Sequence, residues 1–326
     1  MRPYFPGLAA ACLFVSTMAM AQTPPLPSRT HDWSDITEVV VRAPSRGPAM
    51  WKIQKGNATV WVLGVLPQTP NGLHWDQARL KRLMRESKSI ILPGRAFATV
   101  EGHTRWREGD RLVKNLTLMT ILSDTTRKRF YDAAERERRY EHESFDFVGR
   151  YFQSDPPVRA GDEFYTLVTR YHDIGSRVAL DILDMANQSP AVKVVPYETN
   201  IDYLTDDWMT LNEADGETCL NDFLDDVDYD LTTLPDEAEA WAKGDMPTLL
   251  RTFRDTPGLG CDLLVPEWRK DYELLHLQKV TGAIDNALAE PALNVAIVPL
   301  SDLLMKNGIL DRLRGEEGVT ITSPAD

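Results

Sequence analysis

The chain has few of the residues and motifs through which proteins most often carry out chemistry. Its 326 residues include six histidines, and no two of them form a His-x-His or His-x-x-x-His pair, so a local zinc motif is absent. A Gly-x-Ser-x-Gly nucleophile elbow, a phosphate-binding loop and a dinucleotide-binding fingerprint are absent too. The sequence therefore gives no support to a serine hydrolase, a P-loop nucleotidase or a Rossmann-type enzyme.

Basic residues are scarce relative to acidic ones. The chain has 36 lysines and arginines against 49 aspartates and glutamates, and its formal net charge is −13. Nucleic acids and anionic membrane surfaces are bound through basic patches, so this balance argues against both as partners.

Long apolar runs are absent except at the amino terminus. There Arg2 is followed by an apolar stretch over residues 7–20 and by Ala-Met-Ala at 19–21. A charged start, a short apolar region and a small-x-small site are typical of a signal peptide, and the stretch is too short for a helix that spans a bilayer. We predict cleavage after Ala21, a mature start at Gln22 and no membrane insertion afterwards; an uncleaved anchor is the alternative.

Cysteine is rare as well, with three in the chain. Cys12 lies within the predicted signal peptide, which leaves Cys219 and Cys261. In an oxidising compartment an isolated pair is most simply a disulfide, which would contribute on the order of 3–4 kcal/mol. The alternative is a catalytic thiol, but the acidic residues around Cys219 would raise its pKa and disfavour the thiolate.

The apolar pattern predicts strands at both ends of the domain and helices between them. Residues 55–57, Lys-Gly-Asn, have the signature of a hairpin turn. The predicted strands cover residues 50–54, 59–63, 89–92, 192–195, 293–298 and 319–321. The predicted helices cover residues 76–86, much of 115–184, 235–243, 246–254, 266–288 and 302–314. This order indicates an α/β or α+β fold, with an extended segment at 22–48 and a single domain at 49–326.

Residues 59–75, TVWVLGVLPQTPNGLHW, read as a buried strand, a loop and a helix start. Their spelling resembles the first motif of the TraB/GumN family, which includes the Tiki-type metalloproteases. The residues at the family's spacing are Gly64, Pro70, Gly72, Leu73 and Trp75. Similar stretches follow in family order at 195–204, 238–250, 264–270 and 294–319. The resemblance implies an EreA/ChaN-like fold, in which two related small β-sheets are flanked by helices around a mainly helical middle section. It also implies a periplasmic or secreted location.

The resemblance places three family positions on residues that lack the expected chemistry. The first family histidine corresponds to Pro67, the acid after the first helix to Pro93, and the last family histidine to Asp302. Proline has no side-chain donor or acceptor and cannot bind a metal ion. These changes imply a family member without hydrolytic activity or cofactor, which binds a peptide or another protein or acts as a scaffold.

Two alternatives remain open from the resemblance. Asp181, Glu198, Glu267 and Asp302 could hold a divalent cation and support a Tiki-type metal-dependent hydrolase, with Arg269 as a further polar candidate. The simpler interpretation is that Asp302 caps its helix and that Glu198 caps or pairs near Tyr197. The second alternative, implied by ChaN-like relatives, is binding of haem or another small ligand.

One acidic pattern mimics a calcium-binding loop. Asp226, Asp228 and Asp230, followed by Glu237, have EF-hand spacing. Leu231, however, occupies the position that needs glycine for a sharp turn. We therefore interpret the pattern as the solvated acidic end of a helix.

Overall fold

The structure, a computed structural model, describes residues 47–108, 117–137, 152, 154–252, 259–262 and 264–322. The predicted signal peptide and most of the predicted extended segment lie outside these ranges. In the described part of the chain, every helix is too short or too polar to cross a bilayer.

The strands are named β1 to β10 in chain order. They are β1 Met50–Lys55, β2 Ala58–Val65, β3 Thr69–Pro70, β4 Ser89–Ile91, β5 Arg95–Phe97, β6 Ile174–Gly175, β7 Val192–Val194, β8 Glu198–Asn200, β9 Leu293–Pro299 and β10 Val319–Thr322. Six of them form a mixed sheet in the order β10-β1-β2-β9-β4-β7, while β3 pairs with β6 and β5 with β8. The α+β class is confirmed, and the expected core of small sheets takes the form of one larger sheet with two short ladders.

The β1–β2 hairpin forms where the sequence predicted it. Gly56 has φ of +57°, a conformation that side chains with a Cβ rarely adopt, so the predicted turn needs glycine there. The inner strands β2, β9, β4 and β7 run parallel, whereas β1 is antiparallel to both its neighbours. β9 is buried along most of its length, as expected for a central strand covered on both faces.

Helices occupy most of the rest of the described chain. They are Ala78–Glu86, Val100–Glu108, Leu118–Ile121, Asp124–Glu137, Pro157–Tyr171, Arg177–Gln188, Asp202–Met209, Glu213–Thr232, Leu234–Lys243, Met246–Thr252, Leu259–Asp262, Pro266–Asp271, Val280–Leu288, Leu300–Leu304 and Ile309–Arg314. A π-helical segment, Tyr272–Lys279, joins the helices on either side of it into one continuous rod. The predicted helix over 266–288 is therefore present, with a wider turn in its middle.

The face of the sheet on which each helix packs follows from the handedness of the connections between strands. Parallel strands are joined by right-handed crossovers, so Ala78–Glu86 and Arg177–Gln188 share one face, and these two helices contact each other. The chain reverses direction across the sheet between β7 and β9, which puts Val280–Leu288 on the opposite face. Ile309–Arg314 packs against Val280–Leu288 and β10 on that second face.

A second core lies among the helices of the middle section. Pro157–Tyr171 packs along Glu213–Thr232, and Gly161 permits their close approach, because a Cβ there would lie 2.8 Å from Cδ2 of Phe223. Cys219 and Cys261 form the expected disulfide, which ties Glu213–Thr232 to Leu259–Asp262.

Two predictions about helices are wrong. The predicted helix over 302–314 is two helices, broken before Ile309 by a turn in which Asn307 has φ of +61°. The acidic pattern is not solvated: Asp226, Asp230 and Glu237 are buried, because Asp226 and Asp230 lie on the face of their helix that packs against the middle section.

Candidate functional site

The family positions lie at the carboxyl edge of neighbouring parallel strands. Pro67 follows β2, Pro93 follows β4 and Asp302 follows β9, and these strands are adjacent in the sheet. Ligands of α/β proteins commonly bind at this edge. The fold thus brings together the positions that the resemblance assigned. The side chains at these positions determine which ligands or reactions this edge of the sheet can support.

Beyond the ends of β2 and β9, apolar side chains fill this edge. Leu300 is buried against Gly64 so closely that a Cβ on the glycine would overlap Cδ1 of the leucine. Trp241 donates a 2.8 Å hydrogen bond from Nε1 to the Gly64 carbonyl, and its ring meets Trp75 edge-on at 5.4 Å. Segments that carry the family resemblance are therefore packed against one another around Gly64, and the packing leaves that glycine no adjoining space.

Next to this packed region lies a polar cluster built on Asp302. Its buried carboxylate accepts a 2.8 Å hydrogen bond from the hydroxyl of Tyr272 and lies 3.2 Å from Nδ1 of His276. The rings of Tyr272 and His276 stack with centroids 5.0 Å apart. The prediction that Asp302 caps its helix is wrong, because Pro299 holds the N-cap position and Asp302 lies in the first turn.

Tyr197 completes the cluster from the segment after β7. Its hydroxyl lies 3.0 Å from Nε2 of His276, and its ring packs over Gly94, where a Cβ would overlap the ring. Burial, and then the charge of Asp302, raises the pKa of Tyr197 above its ordinary value, so the phenol keeps its proton.

The cluster has the connectivity of an acid–base relay. Because Nδ1 of His276 faces the carboxylate of Asp302, we assign the proton to Nδ1, which leaves Nε2 to accept from the hydroxyl of Tyr197. A base within hydrogen-bond reach of a hydroxyl and oriented by a buried acid is the arrangement of an activated nucleophile. The raised pKa of Tyr197 opposes that role, since a phenolate is disfavoured there.

The other predicted site residues are engaged elsewhere. Asp181 pairs with Arg177 at 3.1 Å on their own helix, and Glu198 lies 3.6 Å from Arg95. Glu267 pairs with Lys270 at 3.1 Å, and both side chains are exposed. The helix Pro266–Asp271 also carries Arg269, whose side chain is exposed.

Asp181, Glu198 and Glu267 thus each lie beside a basic side chain. In the residues that the structure describes, no group of three or more histidines, cysteines and acids is arranged to hold a metal ion.

Sequence reasoning missed His276, which contacts Asp302, and Tyr197, which contacts His276. They lie 79 residues apart along the chain and meet only through the order of β4, β7 and β9. The four-residue spacing of Tyr272 and His276 within a predicted helix was the one local signal, since such side chains share a face.

The fold and the site define an α+β protein whose parallel inner strands end in a partly packed, partly polar edge. The chain belongs to the TraB/PrgY/gumN family, because the model of that family matches residues 49–323. Searches of the curated proteins and of the solved structures each found no match.

Proposed function

We propose that this family member does not hydrolyse peptides and instead binds a peptide or another protein. The observation that carries the proposal is the state of the carboxyl edge of the sheet. Two of the family positions there are Pro67 and Pro93, whose side chains offer no ligand atoms. The third, Asp302, has its carboxylate oxygens engaged by Tyr272 and His276.

Packing around Gly64 supports the same conclusion. A hydrolytic centre needs an open position in which a water or a substrate oxygen can bind next to the catalytic groups. Here the side chain of Leu300 occupies the space beside Gly64, and Trp241 uses the glycine's carbonyl. We expect the cost of opening this region to disfavour substrate entry.

We further propose that the protein works in the periplasm or outside the cell. The disulfide between Cys219 and Cys261 supports this location, because such bonds persist in oxidising compartments. The predicted signal peptide at residues 1–21 points in the same direction. Mass spectrometry of the protein exported by a bacterial host should find Gln22 as the first residue.

The hydrolytic question can be tested directly on the purified protein. Elemental analysis should find no stoichiometric manganese, cobalt or zinc, and a quenched-fluorescence peptide library should stay intact with each metal added in turn. Stoichiometric metal together with cleavage that a chelator abolishes would instead establish the Tiki-type alternative.

A second candidate function is acid–base catalysis without a metal ion, favoured by the position of His276 between Tyr197 and Asp302. It predicts hydrolysis of small activated esters such as p-nitrophenyl acetate, and H276Q should abolish that activity. H172Q is a matched control, because His172 also contacts an acid, Glu137, at 2.7 Å but lies in the helical section. Equal rates for both variants would exclude the relay as the source.

Haem binding stays a prediction that follows from the family resemblance alone. A Soret band that saturates at one equivalent of haem would support it. His276 is a poor candidate for the iron ligand, since both of its ring nitrogens already have partners.

A further inference from the structure

A groove of about 470 Å³ lies on the sheet face that also carries helix Val280–Leu288. Its walls are the helix on one side and strands β4 and β7 on the other. We call it the β7 groove and define it by Ile91, Val194, Val195, Gly282, Ala283 and Ala287. Apolar side chains line much of it and polar ones, among them Ser89 and Asn294, line the rest, a combination typical of sites that bind ligands.

Gly282 points to an occupant of this groove. A glycine within a helix costs roughly 0.5–1 kcal/mol relative to alanine, so it usually answers a steric need. Apart from its chain neighbours and the backbone of its own helix turn, no heavy atom of the described residues lies within 4 Å of the position that a Cβ would take at Gly282. The chain's own packing therefore does not require glycine there, whereas the close approach of another backbone would.

The adjoining strand β7 offers main-chain groups for pairing. Among the residues described, β7 is an edge strand of the sheet, and its one strand neighbour is β4. Val192 donates to the Lys88 carbonyl and Val194 accepts from Leu92, so both face β4. Because successive residues of a strand alternate, the N–H and C=O of Lys193 face outward.

Lys193 also limits where pairing can begin. Its ammonium donates to the carbonyl of Ala191 at 2.7 Å, which covers the start of the edge. An added strand would therefore pair from Lys193 onward, and every second side chain would enter the β7 groove beside Val194.

Charge selects among possible occupants. Lys279 lies exposed at one end of the β7 groove, while Lys88 at the other end is paired with Glu290. The protein as a whole has a formal net charge of −13, but Lys279 places a positive charge at this end of the groove. It favours an occupant that presents a carboxylate at that end.

We propose that the β7 groove binds an extended peptide of a partner protein, with alternate aliphatic side chains and an acidic residue near Lys279. From Val280 to Leu288 the helix rises about 12 Å, which matches roughly four extended residues. The proposal rests on the binding function proposed above and identifies its ligand class and its location.

The test uses fluorescein-labelled hexapeptides in fluorescence-anisotropy titrations with the full mature chain. One pool has Val, Ile or Leu at alternate positions, threonine between them and a terminal glutamate; a matched pool ends in lysine. Two substitutions at the same position separate groove filling from helix effects. G282L fills the β7 groove, whereas G282A strengthens the helix and adds a single methyl group to the groove wall.

We expect the acidic pool to bind the unmodified chain most tightly and G282A more weakly, because its methyl group meets the approaching peptide backbone. G282L should bind at least about tenfold more weakly than the unmodified chain. K279E should lower affinity for the acidic pool by about tenfold and raise it for the basic pool. Circular dichroism of each variant verifies that its fold is retained.

Contrary results point to different failures. Equal binding by G282L, or no binding of the acidic pool at millimolar concentration, overturns the groove assignment while the general binding function stands. Cleavage of the bound peptides overturns the proposed function itself. Tight binding of cis-parinaric acid that G282L abolishes, without peptide binding, would identify a lipid carboxylate as the ligand and overturn the peptide assignment.

Discussion

The disulfide between Cys219 and Cys261 offers the sharpest test of how the helical section is held together. It joins the long helix Glu213–Thr232 to the short helix Leu259–Asp262, and both cysteines are fully buried. The perturbation is the loss of this crosslink, either by reduction of the natural chain or in the double variant C219A/C261A.

The expected magnitude follows from the length of chain that the bond closes. The two cysteines are separated by 42 residues. In the chain-entropy model a loop of that length removes about 13 cal/mol/K from the unfolded state, which corresponds to about 4 kcal/mol at 25 °C. The double variant should lose somewhat more, because each alanine also leaves a small space where a buried sulfur was.

Urea denaturation followed by circular dichroism measures the effect in three samples. The oxidised chain, the natural chain reduced while unfolded and refolded with a thiol-free reductant, and C219A/C261A are compared. The first two differ only in the crosslink, whereas the last two differ only in the packing of the sulfurs. A difference below about 1 kcal/mol between oxidised and reduced chains would refute the loop-closure reasoning.

Further expectations concern single side chains. Y165F removes the 2.7 Å hydrogen bond that Tyr165 donates to Asp230, and urea titration should show a loss of about 1–3 kcal/mol. Burial, and then the charge of Asp230, raises the pKa of Tyr165, so its contribution is complete below the unfolded-state pKa of about 10 and is lost as the pH rises further. The natural chain should therefore lose stability more steeply than Y165F at alkaline pH; parallel curves would contradict this. G64A should lower stability by about 1–3 kcal/mol, because its Cβ overlaps the side chain of Leu300, and an unchanged melting temperature would argue against that packing. G282A should raise stability by about 0.5–1 kcal/mol in the same assay; a loss would mean that the position is not open.

Local chemistry made several parts of the fold predictable. The Lys55-Gly56-Asn57 turn needed a positive φ that glycine supplies, so the hairpin of β1 and β2 could be placed to within a residue or two. The pairing of Cys219 with Cys261 followed from their number once an oxidising compartment was predicted.

A break in the last predicted helix had a sequence signal that was overlooked. Asn307 and Gly308 form the Asn-Gly pair that commonly marks a turn. In the structure Asn307 adopts a positive φ, and a Cβ at Gly308 would lie 2.7 Å from the carbonyl oxygen of Met305. The apolar spacing on either side favoured a continuous helix, but the turn dipeptide was the stronger signal.

The polar cluster could not be predicted from local patterns. N-capping explained Asp302 sufficiently when its helix was considered alone. Its actual partners, Tyr272 and His276, come from another helical segment, on the far side of β9 in the chain. Burial of Asp226 and Asp230 has a similar cause, since acidic side chains at helical spacing look solvated until a partner helix covers that face.

The π-helical segment Tyr272–Lys279 fixes the register of everything that follows it on the same rod. Its wider turn sets the angle at which His276 meets Asp302. In the same segment, Glu273 accepts a 2.8 Å hydrogen bond from Arg312. Deleting a single residue between these anchors would let the rod relax into an ordinary α-helix. Gly282 and the rest of the helix would then rotate with respect to β7, so the length of this short segment determines both the polar cluster and the shape of the groove.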